Sequence, residues 1–530
     1  MIRTCIVTPE FGGADPESIG ARCAHLAALL NRRLGQEVTV VLTREADALP
    51  GDLPVRIVHA GQMEPMFPYP TAHYGQQLLA TAQRLYGWLK GQDFAVCYFQ
   101  DQDAAGYVCM QARRTRQALP STALVCLVHG RDRRNRPFAD LGVDGLLLDH
   151  AERYCLEHAD AAILCGTLDP DWLHSQGWRL PERWVRSLAA WPQLLAQLCA
   201  QQPAAASAPL VSVCTAFYNT SACLEDFCAS LARQTWQHFE VVLVDDGSTE
   251  PQAQGALQRM AEHYNDGRWR ILQQANGGPG VARNAAARHA RGEYLLFVDS
   301  DDIAEPEMLE RLMRAALSAG LDCVSCYLRA FAEGTDPRDN RYEFAFSPFG
   351  ACLEASLYAN CLGGTHFLVR KAVFRALGGF SERPEVGAED WELLNRLVAA
   401  GFTFDVAPEF LLLYRQRPAS RSRTTSHARN HFEAIAPVLA ALPPWAARAL
   451  SCAVASVRSD REQIRQLQVR IHDLESTADE LRACVDGLRH EVQCLRAEVA
   501  CRDEKLATLE ANRFWQLVRR LQAWRARLGI

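Results

Sequence analysis

Arg291-Gly292-Glu293-Tyr294-Leu295-Leu296-Phe297-Val298-Asp299-Ser300-Asp301-Asp302 is the stretch whose reading decides the fold. Leu295 to Val298 form an unbroken apolar run, the pattern of a strand covered on both faces, and three carboxylates follow at once. A buried strand here delivers acid to a sheet edge. Asp299, Asp301 and Asp302 repel one another, and a cation relieves that repulsion. Hard oxygen ligands suit Mg²⁺ or Mn²⁺, which keep open positions for substrate phosphates. Alone, D-x-D also describes a solvated acidic turn, so the flanking sequence has to choose between the two.

On the amino-terminal side, Leu210 to Asn219 is a strand running into a turn, followed by a helix to about Gln234. Phe239 to Val244 is a second buried strand and ends in Asp245-Asp246-Gly247-Ser248. Asn276 to Asn284 is a glycine-rich loop flowing into an alanine-rich helix. On the carboxyl side, Glu389 and Asp390 precede the helical stretch WELLNRLVAAG, which puts two acids at a helix amino terminus. Capping and dipole complementation account for such a pair, and so does a general base.

Residues 1 to about 200 alternate strands and helices, which implies a parallel sheet covered on both faces. The strands are Met1–Val7, Glu37–Leu42, Phe94–Phe99, Ala123–Val128 and Ala161–Leu164. Phe11-Gly12-Gly13 supplies a glycine-bearing loop before the first helix, and strand ends carry Gln100-Asp101-Gln102-Asp103, His129-Gly130 and Cys165-Gly166, where this architecture places ligands. Arg113, Arg114, Arg116, Arg131, Arg133, Arg134 and Arg136 make the segment locally basic, as a solvated face or as a site for an anionic acceptor.

With 530 residues, 48% hydrophobic and 22% charged, the chain has room for two domains and an extension. A net charge of −6 argues against generic nucleic-acid binding, which needs a basic face. The 19 cysteines follow no repeating framework and no signal peptide precedes the first strand, which points to reduced thiols in a cytoplasm. Cys323 and Cys326 lack a second ligand pair and sit in an apolar run, so no zinc site is expected there. No apolar run reaches the ~18 residues a membrane span requires.

From Ile464 a 3-4 apolar spacing continues through Leu467, Ile471, Leu474, Ala478, Leu481, Val485, Leu488, Val492, Leu495, Val499, Leu506 and Leu509, with Arg502 the one break. Ile or Val at one seam position and Leu at the other favours a parallel two-stranded coil, and hence a homodimer. Beyond it, Phe514, Leu517, Leu521, Trp524 and Leu528 form a helical stripe flanked by arginines, suited to an anionic membrane surface or to docking on the rest of the chain.

The pieces VSVCTAFYN, VVLVDDGSTE, NGGPGVARNAA, GEYLLFVDSDD, GGTHFLVRKAVFRALGGF and GAEDWELLNR resemble, in order and spacing, the motifs of inverting family 2 glycosyltransferases of the GT-A fold. The resemblance implies a donor site for a nucleoside diphosphate sugar built from Ala216, Tyr218, Asp245, Asp246, Arg283, Asp299 and Ser300, with Arg283 approaching the base. It implies Mn²⁺ or Mg²⁺ on Asp301 and Asp299, and catalysis by Asp390, with Glu389 beside it. Relatives often carry histidine in a YRxHxxS pattern after the final strand; here Tyr414-Arg415-Gln416-Arg417 has none. No Q-x-x-R-W motif with membrane helices follows the base, so transfer of one or a few sugars is expected rather than a long polymer.

The first segment resembles the amino-terminal half of a GT-B, family 4-like glycosyltransferase, through CYFQDQDAAGY, LVCLVHG and ERYCLEHADAAILCG. The nucleotide-sugar half of that fold does not follow it, so an acceptor-binding or packing role is expected. The fold class is accordingly α/β: a Rossmann-like domain at 1–198, a linker at 199–208, a GT-A domain at 209–430, a helical connector at 431–455, a coiled coil at 456–511 and a basic amphipathic helix at 512–530. The resemblance implies transfer to a glycan, lipid-linked or protein acceptor in assembly of bacterial surface polysaccharide or glycoprotein, in the cytoplasm or peripherally at the inner face of the plasma membrane. The rival readings are a non-catalytic glycan-binding scaffold dimerised by its coil, and nucleotidyl transfer on a similar sheet.

Overall fold

The computed structural model describes residues 2–13, 15–44, 54–68, 76–129, 142–165, 169–186, 190–192, 208–383, 387–417, 426–527 and 529. Gly130, Arg131, Arg133, Arg134, Arg136, Gly166, Leu528 and most of the predicted linker lie outside them.

Residues 1–451 form one compact unit containing two sheets. The first is built from β1 (Arg3–Thr8), β2 (Glu37–Leu42), β3 (Arg56–His59), β4 (Val96–Gln100), β5 (Ala123–Val128), β6 (Ala161–Leu164) and β7 (Trp184–Val185). All neighbours are parallel, in the order β3-β2-β1-β4-β5-β6-β7. The helices α1 (Ile19–Ala28), α2 (Gln76–Leu89), α3 (Tyr107–Arg114) and α4 (Val143–Glu157) bury both faces, as the continuous apolar strands demand. Ser18 caps α1 by accepting from the Ala21 amide.

The second sheet contains β8 (Val211–Phe217), β9 (Phe239–Asp245), β10 (Trp269–Gln273), β11 (Tyr294–Val298), β12 (Ile303–Ala304), β13 (Cys323–Ala332), β14 (Phe344–Phe346), β15 (His366–Arg370) and β16 (Phe404–Gln416). Its order is β10-β9-β8-β11-β15-β13-β16-β12, with β14 beside β13. The first four are parallel; β15 then runs antiparallel to both β11 and β13. The chain leaves β8 toward β9 and β10 and returns to β11 on the other side, so a crevice opens at the carboxyl ends of β8 and β11. The longer helices of this half are α5 (Leu224–Ala232), α6 (Ala253–His263), α7 (Pro279–His289), α8 (Met308–Ala319), α9 (Glu389–Ala399) and α10 (His427–Ala440).

The two sheets share a core. Side chains from β1, β4 and α2–α4 belong to the same buried cluster as Phe349, Cys352, Leu362, Phe404 and Val406. Asp405, fully buried in β16, accepts from Arg114 at 2.8 Å and the Tyr154 hydroxyl at 2.6 Å, with the Gln111 amide at 3.4 Å. Tyr107 stacks on Phe349 and donates to its carbonyl, and Tyr86 donates to Glu409. A buried acid met by three donors from the helices α3 and α4 of the first layer ties the two α/β layers into one body.

From Cys452 on, the described residues form a second unit built on one helix, α11 (Pro444–Arg527), whose first turns belong to the first. No break separates the predicted coil from the predicted basic helix at 511/512, because no proline follows Pro444 and the lone interior glycine is Gly487. The apolar seam is open to solvent along its length, with Leu467 58%, Leu481 61% and Leu509 59% exposed. Among the described residues no helix is long and apolar enough to cross a membrane.

Candidate functional site

The crevice at the carboxyl ends of β8 and β11 lies between the acids that end β9 and those that follow β11. Beyond β8, Tyr218 projects into solvent and Asn219 takes a left-handed turn at φ 52°. The Asn219 side chain accepts from the Thr249 and Glu250 amides, and its own amide donates to the Ser248 hydroxyl. This knits the β8 loop to the β9 loop. Ala216 lies opposite Val244 in the β8–β9 register.

Asp245 and Asp246 both serve the loops around them. Asp245 accepts from the Ser248 amide and from Gln254. Asp246 accepts from the Gly277 and Gly278 amides at 2.9 and 2.8 Å and from the Gln274 side chain at 2.7 Å. It therefore anchors the glycine-rich loop that starts α7, where Gly278 has φ 90°. Gly280 must be glycine for another reason: a Cβ there would lie 2.2 Å from the Ser381 carbonyl.

Arg283, on α7, is buried between two acids rather than turned to solvent. One guanidinium nitrogen donates to Glu389 at 2.7 Å and another to Asp299 at 2.5 Å, and the group lies over the Phe380 ring. Burial opposes its charge, but Asp299 and Glu389 outweigh burial and hold it protonated. Arg283 is thus the bridge between the acids at the end of β11 and those at the start of α9.

Asp299, Asp301 and Asp302 present oxygens within 4.8 Å of one another. They are not equivalent. Asp302 is buried and accepts from the Arg415 amide at 2.9 Å, and burial, then Asp301 and Asp299, push its carboxyl well up. Asp299 and Asp301 stand at the mouth, 30% and 25% exposed at the side chain. Burial, then Asp299, pushes Asp301 up to about 6, against the opposing pull of Arg417. Two open carboxylates backed by a third fit a divalent cation that keeps positions free for phosphate oxygens. Ser300 is buried and shares a hydrogen bond with Thr220 across the β8–β11 crevice, 2.9 Å.

Glu389 opens α9, and its carboxylate is spent on Arg283. Asp390 is partly buried; it accepts from the Trp391 amide at 2.7 Å and from the Thr365 hydroxyl at 3.3 Å. Burial first, then the neighbouring Glu389, pushes its carboxyl up to about 7. A carboxyl at that point is half ionised near neutrality, where a general base works best. His366, close by in sequence, takes no part: it is buried, pushed down to about 4 by burial, and bonded to the Cys326 carbonyl.

Three residues make contacts here that were not anticipated from sequence. Arg415 lies over Phe331, reaches the Asp301 carbonyl and pairs with Asp226; Arg417 pairs with Asp301; Thr365 meets Asp390. The alternation of Arg415 and Arg417 at the end of a strand was the available signal, since residues two apart share a face. On α3, Arg113 pairs with Asp160 and Arg114 with Asp405, so two members of the basic set are engaged within the fold.

Residues 212–378 match the family "Glycosyl transferase family 2". The uncharacterized glycosyltransferase EpsJ of Bacillus subtilis is 42% identical over 120 residues, 22% of this chain and 33% of the relative. The O-antigen biosynthesis protein RfbC of Myxococcus xanthus is 29% identical over 235 residues, 40% of this chain and 18% of the relative. The chain thus spans about a third or less of the length of these relatives. A solved structure of S. aureus TarS 1-349 with UDP-GlcNAc is similar at 22% identity and a TM-score of 0.37, covering 47% of this chain and 72% of that one.

Proposed function

We propose that the second sheet is the catalytic body of a metal-dependent, inverting glycosyltransferase that moves a sugar from a nucleoside diphosphate to a surface-polysaccharide or related glycan acceptor. The observation that carries this reading is the Arg283 bridge. It joins Asp299, at the end of β11, to Glu389, at the start of α9, and so holds a metal-type acid pair and a base-type acid pair in one crevice. The family match over residues 212–378 and the RfbC relative support the reaction class and the polysaccharide setting.

In this reading Asp301 and Asp299 hold Mn²⁺ or Mg²⁺, which supplies charge neutralisation for the leaving diphosphate. Tyr218 and the β8 and β9 loops receive the nucleoside, and Asp246 and Arg283 act by fixing the loop and the acids. Asp390, ionised, takes the proton from the acceptor hydroxyl as that oxygen attacks the anomeric carbon from the face opposite the diphosphate. Thr365 and the Trp391 amide orient its two oxygens. The first sheet, clamped to β16 through Asp405, forms a fixed wall of the acceptor side rather than a second enzyme.

The open seam of α11 is assigned to a second copy in parallel register. With Ile464 and Leu467 as the two seam positions, flanking residues five apart face one another across such a coil. Arg470 then meets Glu475, Glu491 meets Arg496, and Lys505 meets Glu510. The like-charged facing pair, Glu498 and Asp503, brackets the seam residue Arg502, which already binds Glu498 at 2.7 Å within its own helix. The exposed Phe514, Leu517, Leu521 and Trp524, with Arg513, Arg519, Arg520 and Arg525, are assigned to an anionic lipid surface.

The test is release of nucleoside diphosphate from a panel of sugar nucleotides, with and without Mn²⁺, by wild type and Asp301→Asn. Metal-dependent turnover of one donor, lost in the variant, is expected. Absence of turnover and of donor binding with every candidate would favour the glycan-binding scaffold.

A further inference from the structure

Each carboxylate at the mouth of the acid cluster already has a guanidinium on it. Asp299 holds Arg283, which is buried and committed at both ends. Asp301 holds Arg417, and that contact has a different character. β16 ends at Gln416, and residues 415 and 417 project from the same face of the chain at that end. Arg415 is buried and held at several points: its amide donates to Asp302, its side chain to the Asp301 carbonyl and to Asp226, and its guanidinium covers Phe331. Arg417 has one ionic partner among the described residues, a single Asp301 oxygen at 3.3 Å. The contact is long and one-pointed, for a side chain whose planar fork is built for two parallel bonds to an oxyanion.

We infer that Arg417 is a phosphate-binding residue: its guanidinium takes oxygens of the donor's diphosphate at the mouth of the Asp299–Asp301 pair. The inference rests on the glycosyl-transfer reading and adds to it a fixed protein cation at the leaving group. Arg417 stands where the sequence lacks the histidine of the related YRxHxxS pattern. An imidazole there would offer a lone pair to a cation, whereas a guanidinium has none free and cannot be a ligand. The site is thereby shifted from three protein ligands on a cation toward two carboxylates and a cationic arm. Part of the diphosphate charge is met by the chain itself, so nucleotide binding depends less on a divalent ion than a carboxylate-imidazole site would require. Arg283 cannot supply this charge, being enclosed by Glu389, Asp299 and Phe380, and Arg415 is turned to the back of the cluster.

The experiment is calorimetric binding of UDP, GDP and the corresponding nucleosides to the full chain, in EDTA and in Mn²⁺. Wild type, Arg417→Ala, Arg417→Lys and Arg417→His are compared, and free Mn²⁺ is followed by electron paramagnetic resonance. Wild type binds one diphosphate in EDTA. Arg417→Ala weakens that binding about 10-fold or more, as expected for loss of a charge-assisted contact, while nucleoside affinity stays within about 2-fold. Arg417→Lys recovers part of the loss, and Arg417→His recovers it only with Mn²⁺ and binds Mn²⁺ more tightly without nucleotide. Unchanged diphosphate affinity in Arg417→Ala, or an equal loss for nucleoside and diphosphate, overturns the inference and leaves Arg417 a counter-ion of Asp301. Failure of wild type to bind any nucleoside diphosphate, even with Mn²⁺, overturns the transferase reading as well.

Discussion

Replacing Arg114 with methionine removes the main cation from Asp405 while keeping most of the side-chain volume. The carboxylate is 1% exposed and Arg114 only 25%, so water cannot readily take the place of the guanidinium. Removing one partner of a buried pair costs roughly 3–5 kcal/mol, because the other charge is left uncompensated. The lower end applies here, since the Tyr154 hydroxyl and the Val406 amide still donate to Asp405, and the loss of Arg114 over the Tyr154 ring adds little. About 3 kcal/mol taken from the opening free energy of this contact means amide exchange on the order of 100-fold faster in the segments it joins, Tyr107–Arg114 and Phe404–Gln416. Hydrogen–deuterium exchange read by mass spectrometry reports both segments directly.

The pH dependence separates charge from packing. Burial raises the Asp405 carboxyl in the folded protein while Arg114 lowers it, so the variant's carboxyl lies higher still. A raised carboxyl contributes stability that is full below its unfolded value and is lost as pH rises through the folded one. The deficit of Arg114→Met is therefore smaller at a mildly acid pH and larger at a mildly alkaline one, where an ionised Asp405 must stay buried without its cation. A change in exchange of less than about 5-fold at the higher pH would refute the argument that this buried pair clamps the sheets. Equal deficits at both values would show that the contribution is packing alone.

Asp390→Asn should lower transfer by about 10²–10⁴-fold while leaving nucleotide diphosphate binding within about 2-fold, checked by calorimetry beside turnover. In wild type kcat/KM should rise with pH and level off above about 7, because the base must be ionised and its carboxyl is pushed up to about 7; a rate independent of pH from about 5 to 8 would exclude Asp390 as the base. Leu481→Glu, at the centre of the open seam, should convert a dimer to a monomer in sedimentation velocity without changing turnover per chain; a monomeric wild type would rule out the parallel coil. Removing residues 512–530 should abolish co-sedimentation with anionic liposomes and leave zwitterionic controls unchanged, and equal binding before and after truncation would dismiss the lipid assignment.

Much of the second sheet was legible because its signals are local. Leu295 to Val298 is apolar on both faces and forms the central strand β11, and the acids fall at its carboxyl end, where the chain has to turn. Glu389 does open a helix, as the pattern preceding WELLNR implied. The seam of α11 was equally plain, since helical spacing is a property of sequence alone, and the extension through Arg527 follows from the absence of proline. What local pattern could not show was the direction of charged side chains. The Arg283 guanidinium lies between Asp299 and Glu389, which are 16 and 106 residues away along the chain.

The sequence by itself determined which strands are buried, where the acids leave them and which helix bears an unpaired apolar seam, because hydrophobic period and turn chemistry act over a few residues. Only the tertiary structure decided that Asp405 is the clasp between two sheets, that Asp246 is spent on a glycine-rich loop, and that Arg417 stands on Asp301. Each of these depends on a long-range crossover bringing a charge to a partner, and the energy of such a pair is set by burial and distance, which no stretch of sequence carries.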